Sequence, residues 1–144
     1  MIVQKAIPED ILKESVLAHI AAAYFSVGKK LERKTHCSAT RGFILSTLRD
    51  EAELNQNQIA TLLGFDRTVV HRSIKTMVQE GLIAEKKAKS GRAILLRLTV
   101  KGQRYREFLI QQRRLADAKL SAEFGPDERS ILISLLQRVA ELEF

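Results

Sequence analysis

The sequence contains no tryptophan, one cysteine and two prolines. A lone thiol excludes an internal disulfide framework, so packing alone must hold the chain. At 144 residues one hydrophobic core is large enough for that without crosslinks or metals. Long apolar runs are missing as well. The longest stretch without a formal charge, Ser15 to Gly28, has 14 residues and includes His19, short of the roughly 20 that a membrane-spanning helix needs. The opening MIVQKAIPED lacks a basic segment followed by an apolar one, so the expectation is no secretory signal and a reducing, cytoplasmic setting. Catalytic signatures are also missing: HExxH, GxGxxG, P-loop and GxSxG patterns do not occur, and His36 beside Cys37 lacks an orienting third group. No enzyme activity, metal or cofactor is expected.

What the chain does have is concentrated positive charge. Of its net +7, the segment Arg67 to Arg104 holds ten Lys/Arg against Glu80 and Glu85, while the remainder carries 14 basic and 15 acidic residues. An ordinary solvated surface would scatter that excess, whereas a focused positive field is the footprint of a polyanion partner.

Both prolines stand at helix starts. IPED at Ile7 and GPDE at Gly125 place Pro near the first helical position with carboxylates behind it, where the missing N–H and the helix dipole favour them. After Pro8, the residues Leu17, Ile20, Tyr24, Val27 and Leu31 form a narrow seam suited to a partner helix. Phe108, Leu109, Leu115, Ala116 and Leu120 mark a long helix from about Val100, and Leu132, Leu135, Leu136, Val139 and Leu142 a final one. Stripes this extensive exceed one small core, which predicts a dimer interface built from both ends of the chain.

The middle carries shorter elements. A helix is expected from about Ala39 to Asp50; a second, in LNQNQIATLLGF, is capped by Asn55 and closed by Gly64; a third, capped by Asp66, runs to Gly81 with Val69, Val70, Ile74, Met77 and Val78 as its apolar side. Two short helices joined through Gly64-Phe65-Asp66 make a helix-turn-helix, whose second helix suits the major groove. LIAEKKA and RAILLRLT then read as strands about a turn at Lys89-Ser90-Gly91, with Ile94, Leu96 and Leu98 on one face of the second strand. A basic hairpin in that place is a wing.

Over Leu54 to Gly102, LNQNQIATLLGFDRTVVHRSIKTMVQEGLIAEKK followed by SGRAILLRLTVKG resembles the MarR family of winged helix-turn-helix transcriptional regulators; the flanking helices match in length and order only. The resemblance implies an α+β, mainly α fold, with a DNA-binding unit at residues 37–99 between dimerisation helices at 1–36 and 100–144. It also implies a homodimer that binds a pseudopalindromic DNA operator, commonly as a repressor released by a small-molecule effector or by thiol oxidation. Carried over by position, Thr68, His71 and Arg72 face the groove and Arg92 is the wing-tip arginine of the minor groove. Arg67 and Lys75 share the same helix face, and Gln56 joins the expected DNA contacts. Where the family usually has an acidic residue two before the wing arginine, this chain has Ser90.

Arg offers bidentate bonds to guanine, and Thr and His offer smaller polar contacts, so that face can read bases. Lys86, Lys87 and Lys89 are expected at phosphates, supplying affinity. A weakly specific nucleoid-type binder is the alternative for so basic a segment. His19, Tyr24, His36 and Arg41 lie where the resemblance places an effector cavity. Cys37, in RKTHCSATR with Arg33, Lys34, His36 and Arg41 around it and a helix beginning after it, has the surroundings of a lowered thiol pKa and is the candidate for a redox-sensing alternative. Thiol sensors of the family carry their cysteine early in the first helix, whereas Cys37 follows that helix.

Overall fold

The computed structural model describes residues 13–49, 53–89 and 91–143. Its first helix, α1 (Val16–Thr35), starts where Ser15 accepts the Ala18 N–H at 3.2 Å and ends at His36, which adopts a left-handed conformation. Ser38 caps α2 (Ala39–Thr47). That helix stops short of the expected Asp50, its closing residue being Leu48. The proposed start at Pro8 and the turn residue Ser90 lie outside the described residues.

Local chemistry sets the helix-turn-helix. Asn55 and Gln58 exchange side-chain bonds with each other's backbone N–H, a capping box that opens α3 (Gln56–Leu63). Gly64, at φ 63°, closes it in a conformation that costs a side-chain-bearing residue strain. Asp66 then accepts the Thr68 and Val69 N–H groups and opens α4 (Arg67–Gln79). Glu80 is the C-cap of α4, one turn-residue before the expected Gly81.

The hairpin pairs β1 (Ile83–Lys87) antiparallel with β2 (Ile94–Leu98), in register from Ile83 opposite Leu98 to Lys87 opposite Ile94. Leu54 adds an isolated bridge to Leu96, with N–H···O bonds of 2.8 and 3.2 Å in the two directions. Helix α5 (Val100–Glu123) follows directly, and α6 (Pro126–Ala140) begins with Pro in its first turn and Glu128 bonded back to the Gly125 N–H at 2.8 Å.

Two compact units are present, one ending at Leu109 and one beginning at Ile110. The core lies in the first. Ile44, Leu45 and Leu48 from α2 and the stretch after it meet Ile59 and Ala60 of α3, Val70, Ile74 and Met77 of α4, and Leu82, Ile83 and Leu96 around the hairpin. Val69 is a correction: it is 45% exposed and outside this core. Positions 70, 74 and 77 follow one stripe, and Val69 is turned about 100° from Val70 around the helix. In β2 only Leu96 of the expected inner face is fully buried, since Ile94 at the turn end of the hairpin is half exposed.

The helices outside this core keep large apolar groups in the open. Leu17 and Tyr24 of α1 are 75% and 53% exposed, and α6 exposes Ile131, Leu132, Leu135 and Leu136.

Candidate nucleic-acid interface

The buried stripe of α4 fixes which of its residues face outward. Val70 and Met77 are wholly buried and Ile74 nearly so, which leaves Arg67, Thr68, His71, Arg72 and Lys75 exposed. The helix is held at both ends. At its start the Asp66 carboxylate takes two backbone N–H bonds, which hold its pKa below the usual aspartate value. At its finish the Glu80 carboxylate pairs with Arg41 of α2 through both oxygens, and Lys101 of α5 donates to the Glu80 carbonyl at 2.7 Å. Such anchoring limits how far the outward face can tilt.

Between α4 and the hairpin runs a groove of about 520 Å³, lined by Gln56, His71, Lys75, Gln79, Arg92 and Ile94 among others. A second recess of about 250 Å³ lies at the helix start, lined by Gln56, Asn57, Arg67, Thr68 and His71. The fold thus gathers Gln56, Arg67, Thr68, His71, Lys75 and Arg92 about two adjoining recesses, with Gln56, Asn57 and His71 lining both. Arg72 lies outside both recesses, as do Lys87 and Lys89, although all three are exposed. Asn57 and Gln79 were missed by residue pattern alone. Asn57 stands in the first turn of α3 beside Gln56, a position whose polar run NQNQ was the available signal.

Lys86 has a different role from its neighbours. Its Nζ lies 2.9 Å from Glu53, whose carboxyl is held below its usual range chiefly by that hydrogen bond. This pair fastens the hairpin to the segment before α3, while Lys87 and Lys89 are exposed.

The four candidate effector residues are each engaged separately. His19 Nδ1 is 2.9 Å from the Ser15 carbonyl, Tyr24 meets Phe25 edge-on with centroids 5.7 Å apart, His36 closes α1, and Arg41 holds Glu80. Cys37 contradicts the electrostatic expectation. It is only 7% exposed, and burial pushes its thiol pKa up; a hydrogen bond with Tyr105 and the Arg41 charge oppose the rise without cancelling it. The Tyr105 hydroxyl donates to the Thr35 carbonyl at 3.2 Å, and burial is the main reason its own pKa is pushed up to about 12. Among the described residues no helix is long and apolar enough to cross a membrane.

Residues 40–84 match a family model described as winged helix-turn-helix DNA-binding. No curated protein sequence matches the chain. Solved structures do. The transcriptional repressor CouR bound to a 23-mer DNA duplex is 22% identical, with 94% of this chain and 99% of that one covered at a TM-score of 0.82. The PcaV transcriptional regulator from Streptomyces coelicolor, in complex with its natural ligand, is 23% identical over 88% of this chain and 93% of that one, at 0.75. A putative MarR family transcriptional regulator from Listeria monocytogenes, complexed with 26-mer DNA, is 23% identical over 89% and 88%, at 0.74. Residues 40–84 therefore match a winged helix-turn-helix DNA-binding model, and the chain around them shares the fold of these MarR-type regulator structures.

Proposed function

We propose that this chain is a sequence-specific transcriptional repressor that binds a pseudopalindromic operator as a homodimer and leaves it when a small-molecule effector binds. The observation that carries the reading is the pair of adjoining recesses beside α4 and the wing, which are edged by cations and by polar groups able to read bases. Arg67, Arg72 and Lys75 with Thr68 and His71 supply the major-groove contacts, Gln56 supports them, and Lys87, Lys89 and Arg92 bring the wing to phosphates and the minor groove.

Dimerisation is assigned to residues 1–36 and 100–144, on either side of the DNA-binding unit at 37–99. The exposed apolar faces of α1 and α6 support that assignment, because a monomer would leave them in water. Two recognition helices would then occupy successive major grooves, with half-sites about 10 base pairs apart. Repression and effector release are supported by the similar structures, one of a repressor on DNA and one of a regulator with its natural ligand. The candidate effector contacts are His19, Tyr24, His36 and Arg41; at Arg41 an anionic effector would compete with Glu80 and so loosen the end of α4.

Selection of bound sequences from random DNA tests the reading. The expected result is an inverted repeat bound by two chains, far more tightly than random duplex at the same salt concentration. Equal affinity for selected and random duplexes would instead indicate a nucleoid-type binder.

A further inference from the structure

Gln56 opens α3 and His71 lies in the middle of α4, fifteen positions apart, yet Gln56 Oε1 stands 3.2 Å from His71 Nδ1. Both backbones are fixed close by. The Asn55–Gln58 capping box holds the first turn of α3, and the wholly buried Val70 precedes His71. Taken with the carboxamide oxygen as the acceptor it must be, the contact assigns the hydrogen to Nδ1 as donor. In the neutral ring that leaves Nε2 as a bare lone pair. Among the described residues Nε2 has no hydrogen-bond partner, and the ring borders both recesses.

We propose that Gln56 is a positioning residue that fixes the tautomer of His71, making His71 an acceptor that selects a base with an exocyclic amino group, adenine or cytosine, at one position of each half-site. The proposal rests on the reading that α4 enters the major groove. There adenine presents N6–H2 and cytosine N4–H2, both donors, whereas guanine presents O6 and thymine O4, both acceptors. A lone pair set against O6 or O4 leaves two acceptors facing each other with water excluded, which is costly. A phosphate is refused for the same reason, so His71 becomes a base contact and leaves phosphates to the arginines and lysines around it. Without Gln56 the ring can turn and carry its hydrogen on either nitrogen, so it would accept from one base or donate to another.

The test uses the full-length chain at pH 8. Affinities of wild type, Gln56→Ala, His71→Ala and the double variant are measured on a selected operator and on all its single-base variants. Wild type should favour adenine or cytosine over guanine and thymine at one position per half-site by roughly tenfold, the scale of one good groove contact. Gln56→Ala and His71→Ala should each flatten that position, and the double variant should lose no more than His71→Ala alone. Both side chains are exposed, so unchanged melting curves should accompany the loss. A Gln56→Ala protein that keeps the preference which His71→Ala loses would overturn the positioning role while leaving the DNA-binding reading intact. Guanine or thymine at the His71-dependent position would overturn the acceptor assignment. If no duplex is selected over random DNA, both the proposal and the reading beneath it fail.

Discussion

Replacing Gly102 with alanine is a one-carbon change with a large expected effect. Gly102 is buried in the first turn of α5, and a Cβ there would lie 2.0 Å from the Leu82 carbonyl oxygen, 3.0 Å from its carbon and 3.3 Å from Leu98 Cδ2. The obstacle is backbone, so it cannot rotate away. Leu82 sits between α4 and β1, and its carbonyl accepts the Thr99 N–H at 3.1 Å, while Thr99 Oγ1 donates to the Gly81 carbonyl at 2.6 Å and accepts the Gly102 N–H at 3.0 Å. Relief of the clash must move α5 away from the end of α4 and stretch the two bonds from Thr99 to the Leu82 and Gly81 carbonyls. Overpacking costs about 1–3 kcal/mol. Two weakened hydrogen bonds add about 0.5–1.5 kcal/mol each. Alanine recovers about 1 kcal/mol of helix propensity. The net loss is about 3 kcal/mol, which for a chain of this size lowers Tm by roughly 10 °C. Gly42→Ala is the internal control. It is the same change within α2, but the new carbon would meet only Cys37 Sγ at 4.0 Å, so stability should rise by about 0.5–1 kcal/mol. Thermal unfolding followed by circular dichroism reads both, and DNA binding measured well below Tm should also weaken in Gly102→Ala. Equal melting temperatures for the two variants would refute the close approach at Leu82.

Arg72→Ala should cost about 1–3 kcal/mol of operator binding and relax one operator position. Arg92→Ala should weaken many operators alike and reduce the salt slope by about one unit; a slope identical to wild type would mean the wing does not reach DNA. The Asp66 pKa is lowered by the Val69 and Thr68 N–H groups, so its stabilising effect is present above the ordinary aspartate pKa and is lost as the pH falls through the folded value. Asp66→Asn, which keeps the capping oxygen but does not titrate, should show a shallower acid decline in melting temperature than wild type, and parallel curves would argue against the cap. Burial raises the Cys37 pKa and keeps it a thiol, so mild peroxide should leave wild type and Cys37→Ser equally bound to DNA. Selective release of wild type would restore the redox alternative.

The elements of the helix-turn-helix were legible because their signals act over a few residues. Asn55 bonds Gln58 three positions on, Gly64 takes a left-handed turn, Asp66 caps the next two N–H groups, and Pro126 with Glu128 opens the last helix. Each is decided by adjacent backbone and short side chains, so the sequence alone determined them, along with the basic character of the segment they lead into. Other features depend on which distant surfaces meet. Arg41, a candidate effector contact, finds Glu80 across 39 positions, and Lys86, expected at a phosphate, finds Glu53 across 33, so both cations fasten α4 and the hairpin. Cys37 stands among cations in the chain, but packing withdraws it from water, and at such a site desolvation outweighs the nearby charge. Val69 has the composition of a core residue, and only the direction in which α4 presents Val70, Ile74 and Met77 turned it outward. The Gln56–His71 pair belongs to the same class. Its residues were both expected at the interface, but the bond between them exists only because the turn through Gly64 lays α3 against α4.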